Sequence, residues 1–443
     1  MQRTKAENDT VFAPASAVGG AIAAIRVSGP DAAQTERILS AHVTASPRKM
    51  LHTDILSGGE IIDDAMAVFY PAPRSYTGED MAELYCHGGA RTVSAVLGAL
   101  SGIGFRPAEG GEFTRRAFLN GKMDLSQAEA VMDIITADAE QSLKSALRQL
   151  KGAVGAQLTG TETLLTDALS AIDAAIDYPD EAEEDALNAL PAMLAEADDT
   201  LTALIETGRR NRVLRDGIRV GIFGRPNVGK SSLLNALTGE DRAIVTDIAG
   251  TTRDIIDVKT SFYGVPVRLI DTAGIRETDN VVERIGVDRA RQVLADADIA
   301  LVVLDGSASL TDEDGALLEE TKGMPRVLIV NKDDLPQQAE LPVTDGTAVP
   351  VSARTGEGID TLKRRVYDLA CPGGTDASAI TNERHLNALS RSCAAVRSAR
   401  RAVELDCVAT DIRDALKCLG EITGSDVDEN VIDRIFERFC VGK

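Results

Sequence analysis

Tryptophan is absent from this chain of 443 residues, and aromatic side chains make up only 3% of it. A surface that stacks bases on aromatic rings is therefore a poor starting expectation. Positive charge is also scarce. The 47 Lys and Arg against 69 Asp and Glu leave a net charge of −22, so a polynucleotide backbone is not attracted over the whole surface. Any polynucleotide partner must meet a local basic patch or be held by another protein. The cysteines, at positions 86, 371, 393, 407, 418 and 440, show neither C-x-x-C nor C/H metal-ligand spacing, which speaks against a structural zinc site. The opening segment lacks the apolar core of a signal peptide, and no apolar stretch approaches a membrane span. The reducing cytoplasm, with free thiols, is the expected home.

Three textures follow one another along the chain. Residues 1–122 mix β-branched strands (Ala21–Val27, Ala65–Tyr70) with a helical stretch at Ala90–Leu100, the pattern of a small α+β domain. Residues 123–214 read as helical, with apolar positions such as Ala128, Val131, Ile134, Leu143, Leu147, Leu165 and Leu169. Within them Asp173 to Asp199 contains acidic residues but no Lys or Arg, most simply a solvated face. Residues 215–372 alternate strands (Ile218–Phe223, Val265–Ile270, Ile299–Leu304, Val327–Val330, Ala348–Val351) with helices, which predicts a doubly wound α/β sheet. The helical texture resumes over 373–443. The expected architecture is a helical domain interrupted by a complete α/β domain, an arrangement tolerated at surface loops with adjacent ends.

Residues 224–231, Gly-Arg-Pro-Asn-Val-Gly-Lys-Ser, match G-x-x-x-x-G-K-[ST], lying between an apolar strand and a helix. In that motif backbone N–H groups cradle a phosphate, Lys230 reaches the β- and γ-phosphates, and Ser231 can ligate Mg²⁺. Asp271-Thr-Ala-Gly274 supplies a D-x-x-G at a strand end, Asn331-Lys-Asp-Asp334 an N-K-x-D, and Ser352-Ala-Arg354 follows the next strand. Asp334 can accept from N1–H and the 2-amino group of guanine, donors that adenine does not present. Each short motif is weak alone; together and in order they point to GTP with Mg²⁺ in a Ras-like P-loop GTPase domain. The nucleotide-binding set comprises Asn227, Val228, Gly229, Lys230, Ser231 and Ser232; Thr246, Asp247, Ile248, Ala249, Gly250, Thr251 and Thr252 of a switch loop; Asp271, Thr272, Ala273 and Gly274; Asn331, Lys332, Asp333 and Asp334; and Ser352, Ala353 and Arg354.

Position 275, where many GTPases place a water-orienting Gln, is Ile, so another device is required. Asn227 is placed to coordinate a monovalent cation beside the phosphates. Glu283 could position water, although on the residues alone a solvent-facing carboxylate is the plainer reading.

Asn227 within its P-loop, together with Thr246-Asp-Ile-Ala-Gly-Thr-Thr-Arg-Asp254, resembles the potassium-stimulated TRAFAC GTPases. Ser75-Tyr-Thr-Gly-Glu-Asp-Met-Ala-Glu83 with Cys86-His-Gly-Gly89, Phe118-Leu-Asn-Gly-Lys-Met-Asp-Leu-Ser-Gln-Ala-Glu129 and Phe439-Cys-Val-Gly-Lys443 narrow the likeness. They are similar to the MnmE (TrmE) family of tRNA modification GTPases, over essentially the whole chain. The resemblance implies an N-terminal folate-binding and dimerisation domain, a discontinuous helical domain and an inserted GTPase domain. It implies a homodimer that works with the FAD-containing MnmG to place an aminomethyl or carboxymethylaminomethyl group on C5 of the wobble uridine of certain tRNAs. Tetrahydrofolate, in its 5-formyl or 5,10-methylene form, supplies the one-carbon unit.

By position Arg26, Glu83, Lys122 and Lys443 match the folate contacts, and their charges suit folate carboxylates and pterin donors. Asn227, Thr246, Ile248 (by its carbonyl) and Thr251 match the potassium ligands, Ser231 and Thr252 the Mg²⁺ ligands, and Glu283 the water-positioning carboxylate. Cys440 matches a thiol near the modification chemistry; without the resemblance it reads as an incidental residue on a frayed end. A GTP-controlled ribosome-assembly switch is the principal alternative, although neither a basic G-x-x-G clamp nor a second P-loop is visible. A membrane-remodelling GTPase lacks any basic amphipathic anchor. The acidity implies that tRNA is held largely by the partner. The clusters at Arg209-Arg210-x-Arg212 and Arg397-x-x-Arg400-Arg401 read as solvated faces or as partners of the acidic run.

Overall fold

The structure, a computed structural model, describes residues 9–178, 184–239, 256–271, 296–339, 348–372, 374 and 379–443. The chain divides into two compact units, one formed by the residues up to Met132 with Gly420–Lys443, the other by Asp133–Leu419.

In the first unit, strands β1 (Val11–Pro14), β2 (Ile22–Ser28), β3 (Leu51–Ser57), β4 (Glu60–Tyr70), β5 (Met81–His87) and β6 (Arg106–Pro107) form one sheet in the order β3-β4-β5-β2-β1-β6. Only the β1–β6 pairing is parallel. Alternation along β2 sends Ala23, Ile25 and Val27 into a core shared with Leu84, Val96 and Leu100, and leaves Arg26 on the opposite face. Helix α1 (Ala90–Gly102) contributes Val93, Val96, Ala99 and Leu100. Helices α2 (Glu112–Leu119) and α3 (Leu125–Ile135) follow.

The quoted Ser75–Glu83 and Phe118–Glu129 motifs hold one another. Asn120 Nδ2 donates to the Thr77 carbonyl at 2.7 Å, Thr77 and Ser28 share a buried hydroxyl pair at 2.7 Å, and Glu79 accepts from Arg116 at 3.0 Å. These bonds anchor the 72–80 loop.

In the second unit, α4 (Glu140–Leu150), α5 (Ala153–Asp177), α6 (Glu184–Asn211) and the short α7 (Val213–Asp216) lead into the α/β part. On α5 the buried residues Val154, Leu158, Thr161, Leu165, Ala168, Ile172 and Ala175 recur every three or four positions, the stripe a packed helix requires. The α/β part holds β7 (Ile218–Phe223), α8 (Lys230–Thr238), β8 (Ile256–Phe262), β9 (Val265–Asp271), β10 (Ile299–Asp305), α9 (Asp312–Glu320), β11 (Arg326–Asn331), β12 (Ala348–Val351) and α10 (Ile359–Ala370). Its sheet order is β12-β11-β10-β7-β9-β8, parallel except for the β8–β9 hairpin. Six consecutive residues of β10, Ile299 to Leu304, are buried, as expected of a central parallel strand covered on both faces.

Helices α11 (Glu383–Ala399), α12 (Leu405–Thr423) and α13 (Glu429–Phe436) close the chain. Helices α6 and α11 meet across a buried Asp198, which pairs with Arg397 (2.7 Å) and with Arg400. At the other end of the acidic run Asp173 pairs with Arg413 at 2.6 Å. The run therefore serves in part as an internal counter-charge, as the pairing reading anticipated. Burial pushes the Asp198 carboxyl up, but hydrogen bonds from Arg397, Cys393 and Arg400 outweigh it and leave it below its ordinary value. Helix α13 and the tail after it belong to the first unit. There Ile432, Phe436 and Phe439 share a core with Leu125 and Ala128, whereas the sequence reading grouped residues 373–443 as one helical part.

Candidate functional site

The α/β part places its motifs at the carboxyl ends of neighbouring strands, where such sheets bind ligands. β7 lies between β9 and β10, at the point where strand order reverses. It delivers the chain into Gly224–Gly229 and then α8, whose exposed first turn carries Ser231 and Ser232. Asn227 stands exposed with φ 63°, an uncommon left-handed conformation outside glycine. Lys230 Nζ donates to the carbonyls of Gly224 (2.7 Å) and Arg225 (2.9 Å), so the ammonium is held against the loop. At Gly229, with φ 98°, a Cβ would lie 2.3 Å from Asn331 Nδ2; only glycine admits that approach.

The N-K-x-D segment separates into a brace and a candidate base acceptor. Asn331 is buried; its Nδ2 donates to the Val228 carbonyl (2.7 Å) and its Oδ1 accepts from Ala353 N–H (3.1 Å). One amide thus ties the P-loop to the Ser352–Arg354 loop. Lys332 pairs with Asp305 at 2.6 Å, and Asp305 also accepts from the Ser307 hydroxyl at 2.6 Å. Burial raises the Asp305 carboxyl, but these bonds outweigh it and hold it below its ordinary value. Asp305 is a site residue that sequence reasoning missed; it lies in no short motif and is identified only by its place at the end of β10. Asp334 accepts from Ser352 Oγ (2.7 Å) and pairs with Arg354 (2.7 Å). The Ser352 hydroxyl first, and then Arg354, keep its carboxyl below the usual value. It is therefore an ionised, acceptor-only group fit for two donors on one purine edge. Asp333 follows Lys332 in the same loop, its N–H donating to the Val351 carbonyl (3.2 Å).

Asp271 ends β9 in register with Ile222 of β7. Thr246, Asp247, Ile248, Ala249, Gly250, Thr251, Thr252, Thr272, Ala273, Gly274 and Glu283 lie outside the described residues. No cluster of His, Cys, Asp and Glu suited to a metal occurs among the described residues. A hydroxyl such as Ser231, added to phosphate oxygens, is instead the hard-oxygen donor set that suits Mg²⁺.

The first unit assembles a second site from side chains far apart in sequence. Arg26 on β2 and Glu83 on β5 are register partners. Arg26 Nε and Nη2 donate to Glu83 Oε1 at 3.1 and 3.0 Å. The guanidinium also faces the rings of Tyr76 (4.7 Å) and Phe113 (5.6 Å). Tyr85 donates to the other Glu83 oxygen at 2.8 Å; burial, and then that bond, push its hydroxyl up to about 12. Lys122 Nζ donates to the Pro73 carbonyl at 2.9 Å, joining it to the loop that carries Tyr76.

The tail reaches the same region. Lys443 O accepts from Phe113 N–H (3.2 Å) and Cys440 O from Gly111 N–H (3.4 Å), while Val441 bridges Gly110. The Cys440 thiol is exposed although its backbone is fixed, which overturns the frayed-end reading. At Gly442, with φ 96°, a Cβ would stand 1.9 Å from the Pro14 carbonyl. The structure thus brings Arg26, Glu83 and the Lys443 backbone around Tyr76 and Phe113. Tyr85 and Phe113 were not legible beforehand, because strand register and helix docking bring them in.

Two family models match the chain: GTP-binding protein TrmE N-terminus over residues 10–122, and MnmE helical domain over residues 125–440. Proteins named tRNA modification GTPase MnmE from Bacillus mycoides and Bacillus cytotoxicus are 41% and 40% identical to it, over 99% of this chain and 100% of theirs. Among solved structures, the G domain of the T. maritima FeoB iron transporter is 26% identical, with a TM-score of 0.26, over 34% of this chain and 98% of that one. By the length and level of these matches, the chain belongs to the MnmE (TrmE) family.

Proposed function

We propose that this protein is the GTP-hydrolysing subunit of a complex that modifies the wobble uridine of certain tRNAs at C5. The likeness to tRNA modification GTPases over the full length of both chains carries this reading. The geometry supports it through an acceptor-only Asp334 at the purine end of a P-loop fold. The proposed division is an N-terminal folate and dimerisation domain at 1–122, helical parts at 123–214 and 373–443, and a GTPase domain at 215–372. No helix among the described residues is long and apolar enough to cross a membrane; a cytoplasmic homodimer is proposed.

For GTP, Asp334 selects guanine, Lys230 and the loop N–H groups hold the phosphates, and Glu283 orients the attacking water. Ser231 and Thr252 would hold Mg²⁺; Asn227, Thr246, Thr251 and the Ile248 carbonyl would hold K⁺. Bound there, the two cations would offset charge developing on the transferring phosphoryl group, replacing an arginine finger. The exposed, left-handed Asn227 suits that role because its amide oxygen is a cation ligand open to solvent.

Arg26, Glu83, Lys122 and Lys443 would hold tetrahydrofolate, which would supply the one-carbon unit. The Arg26–Glu83 pair presents a cation and acceptor oxygens beside two aromatic rings, a set matched to a flat heterocycle with carboxylates. Cys440 is proposed to act near the uridine. An FAD-containing partner, MnmG, is proposed to hold most of the tRNA, since a net charge of −22 disfavours tight tRNA binding by this chain alone. Mass-spectrometric profiling of wobble uridines in tRNA from a deletion strain tests the reading. Loss of the C5 group is expected; unchanged uridines would sink it in favour of a GTP-controlled binding switch.

A further inference from the structure

The amino end of α4 lacks a side-chain cap: its N-cap residue, Ala139, offers none. The first N–H groups of any helix have no partner within the helix. Here one of them, on Gln141, donates 3.0 Å to the carbonyl of Gly264. Gly264 is in the turn of the β8–β9 hairpin, so the α/β part caps a helix outside it. The turn has φ 52° at Tyr263 and φ 81° at Gly264, the paired left-handed conformation of a tight hairpin. A Cβ on Gly264 would lie 2.8 Å from Gln141 Cγ. Beside this contact, Lys259 of β8 pairs with Asp138 at 2.6 Å.

The hairpin is held from its other side too. Tyr263 donates 2.9 Å to Asp360 of α10, and its ring meets Tyr367 edge-on at 5.7 Å. Its strands are those adjoining the nucleotide-sensing segments. β8 begins directly after the Thr246–Asp254 stretch, and β9 ends at Asp271 of D-x-x-G. Next to the cap lies a cavity of about 320 Å³. Its lining includes the buried hydroxyls of Ser145 and Thr260, neither of which has a hydrogen-bond partner among the described residues. A space of that volume beside the helix leaves room for α4 to shift.

From these observations we propose that the β8–β9 turn is the element through which nucleotide state positions the helical domain, with Gly264, Gln141 and Lys259 as positioning residues. A change at either nucleotide-sensing segment pulls on β8 or β9. The turn moves as a unit because both of its strands are paired, and the cap on α4 moves with it. The proposal rests on the GTP hydrolysis proposed above and deepens it by naming the route out of the nucleotide site.

The test is amide hydrogen exchange on the full-length protein, comparing GDP with GDP·AlF₄⁻ in K⁺. Exchange in residues 140–150 is expected to differ at least about threefold between the two states. Gly264→Ala should abolish that difference while GTP hydrolysis stays within about twofold. Gly264→Ala combined with Gln141→Ala, which removes the clashing Cγ but keeps the backbone strain, should restore it. Lys259→Glu, a surface change that leaves folding intact, should diminish it. An α4 indifferent to nucleotide in the unmodified protein would overturn the proposal. So would a difference that persists in Gly264→Ala, or a double variant no better than the single one. Unchanged wobble uridines in the deletion strain would instead remove the tRNA reading and leave this result standing.

Discussion

The two candidate sites of this protein are built in opposite ways. The nucleotide site is mostly backbone and contiguous sequence. Six residues of loop, one left-handed Asn and one glycine forced by Asn331 shape it, and its long side chains mainly brace the loops. The N-terminal site is mostly side chain. Arg26, Glu83, Tyr76, Tyr85, Phe113 and the tail come from separate stretches that only sheet register and a docked C-terminus bring together. A backbone cradle tolerates change in most of its side chains but not in its turns. A side-chain cluster should fail piecemeal, one contact at a time.

The sharpest way to break the nucleotide side is to alter the group proposed to select guanine. Asp334→Asn replaces an acceptor-only carboxylate with an amide that presents donors to donors. A site built for hydrogen bonds rejects a mismatch strongly, so GTP affinity should fall at least about 100-fold in a fluorescent-nucleotide titration. XTP, whose base offers a carbonyl there, should gain. Ligand binding by the first unit should be unaffected.

Next in size is the tail. Gly442→Ala sets a methyl against the Pro14 carbonyl at a left-handed position, costing of order 2–3 kcal/mol in the docked tail. Formyl-tetrahydrofolate affinity, measured by calorimetry, should drop about tenfold through loss of the docked population, with GTP turnover unchanged. Equal loss in both activities would show that the sites are not separable.

Asp198→Asn probes the helical frame of the second unit. Removing a buried carboxylate from two arginines should cost about 2 kcal/mol at neutral pH, seen as a lower Tm. Because the folded carboxyl lies below its ordinary value of 3.8, its contribution is complete above that value and is lost as pH falls through the lowered folded value. The Tm difference between variant and parent should therefore close in acid. Smallest is Tyr85→Phe, which takes one donor from Glu83. About a threefold loss of folate affinity is expected, with no change in nucleotide binding.

Most of the α/β sheet was legible because its buried parallel strands are short apolar runs that end in recognisable loops. β7, β9, β10, β11 and β12 fall where the runs at 218, 265, 299, 327 and 348 begin. β8, an edge strand reading Ile-Asp-Val-Lys-Thr-Ser-Phe, was not read as a strand. Its alternation is diluted by charge, which is how edge strands avoid mispairing. The nucleotide motifs were legible for the same reason that the site is backbone-built: spacing along the chain is the geometry. That logic could not show Asn331 to be a brace, nor find Asp305, since both depend on neighbouring strands. At the N-terminal site Arg26 and Glu83 were reached through resemblance alone. The docking of Phe439–Lys443 on Gly110–Phe113 pairs residues more than 300 positions apart, and no local pattern encodes such a contact.

Under the proposed function two differently built sites serve one reaction, with GTP turnover in one driving chemistry that depends on the other. The most direct test measures GTP hydrolysis and wobble-uridine modification side by side. The assay uses the complex of Arg26→Ala protein with the flavoprotein partner, hypomodified tRNA, formyl-tetrahydrofolate, GTP and K⁺. Hydrolysis at the parent rate with no modified uridine is expected; full modification by this variant would overturn the dependence on the N-terminal site.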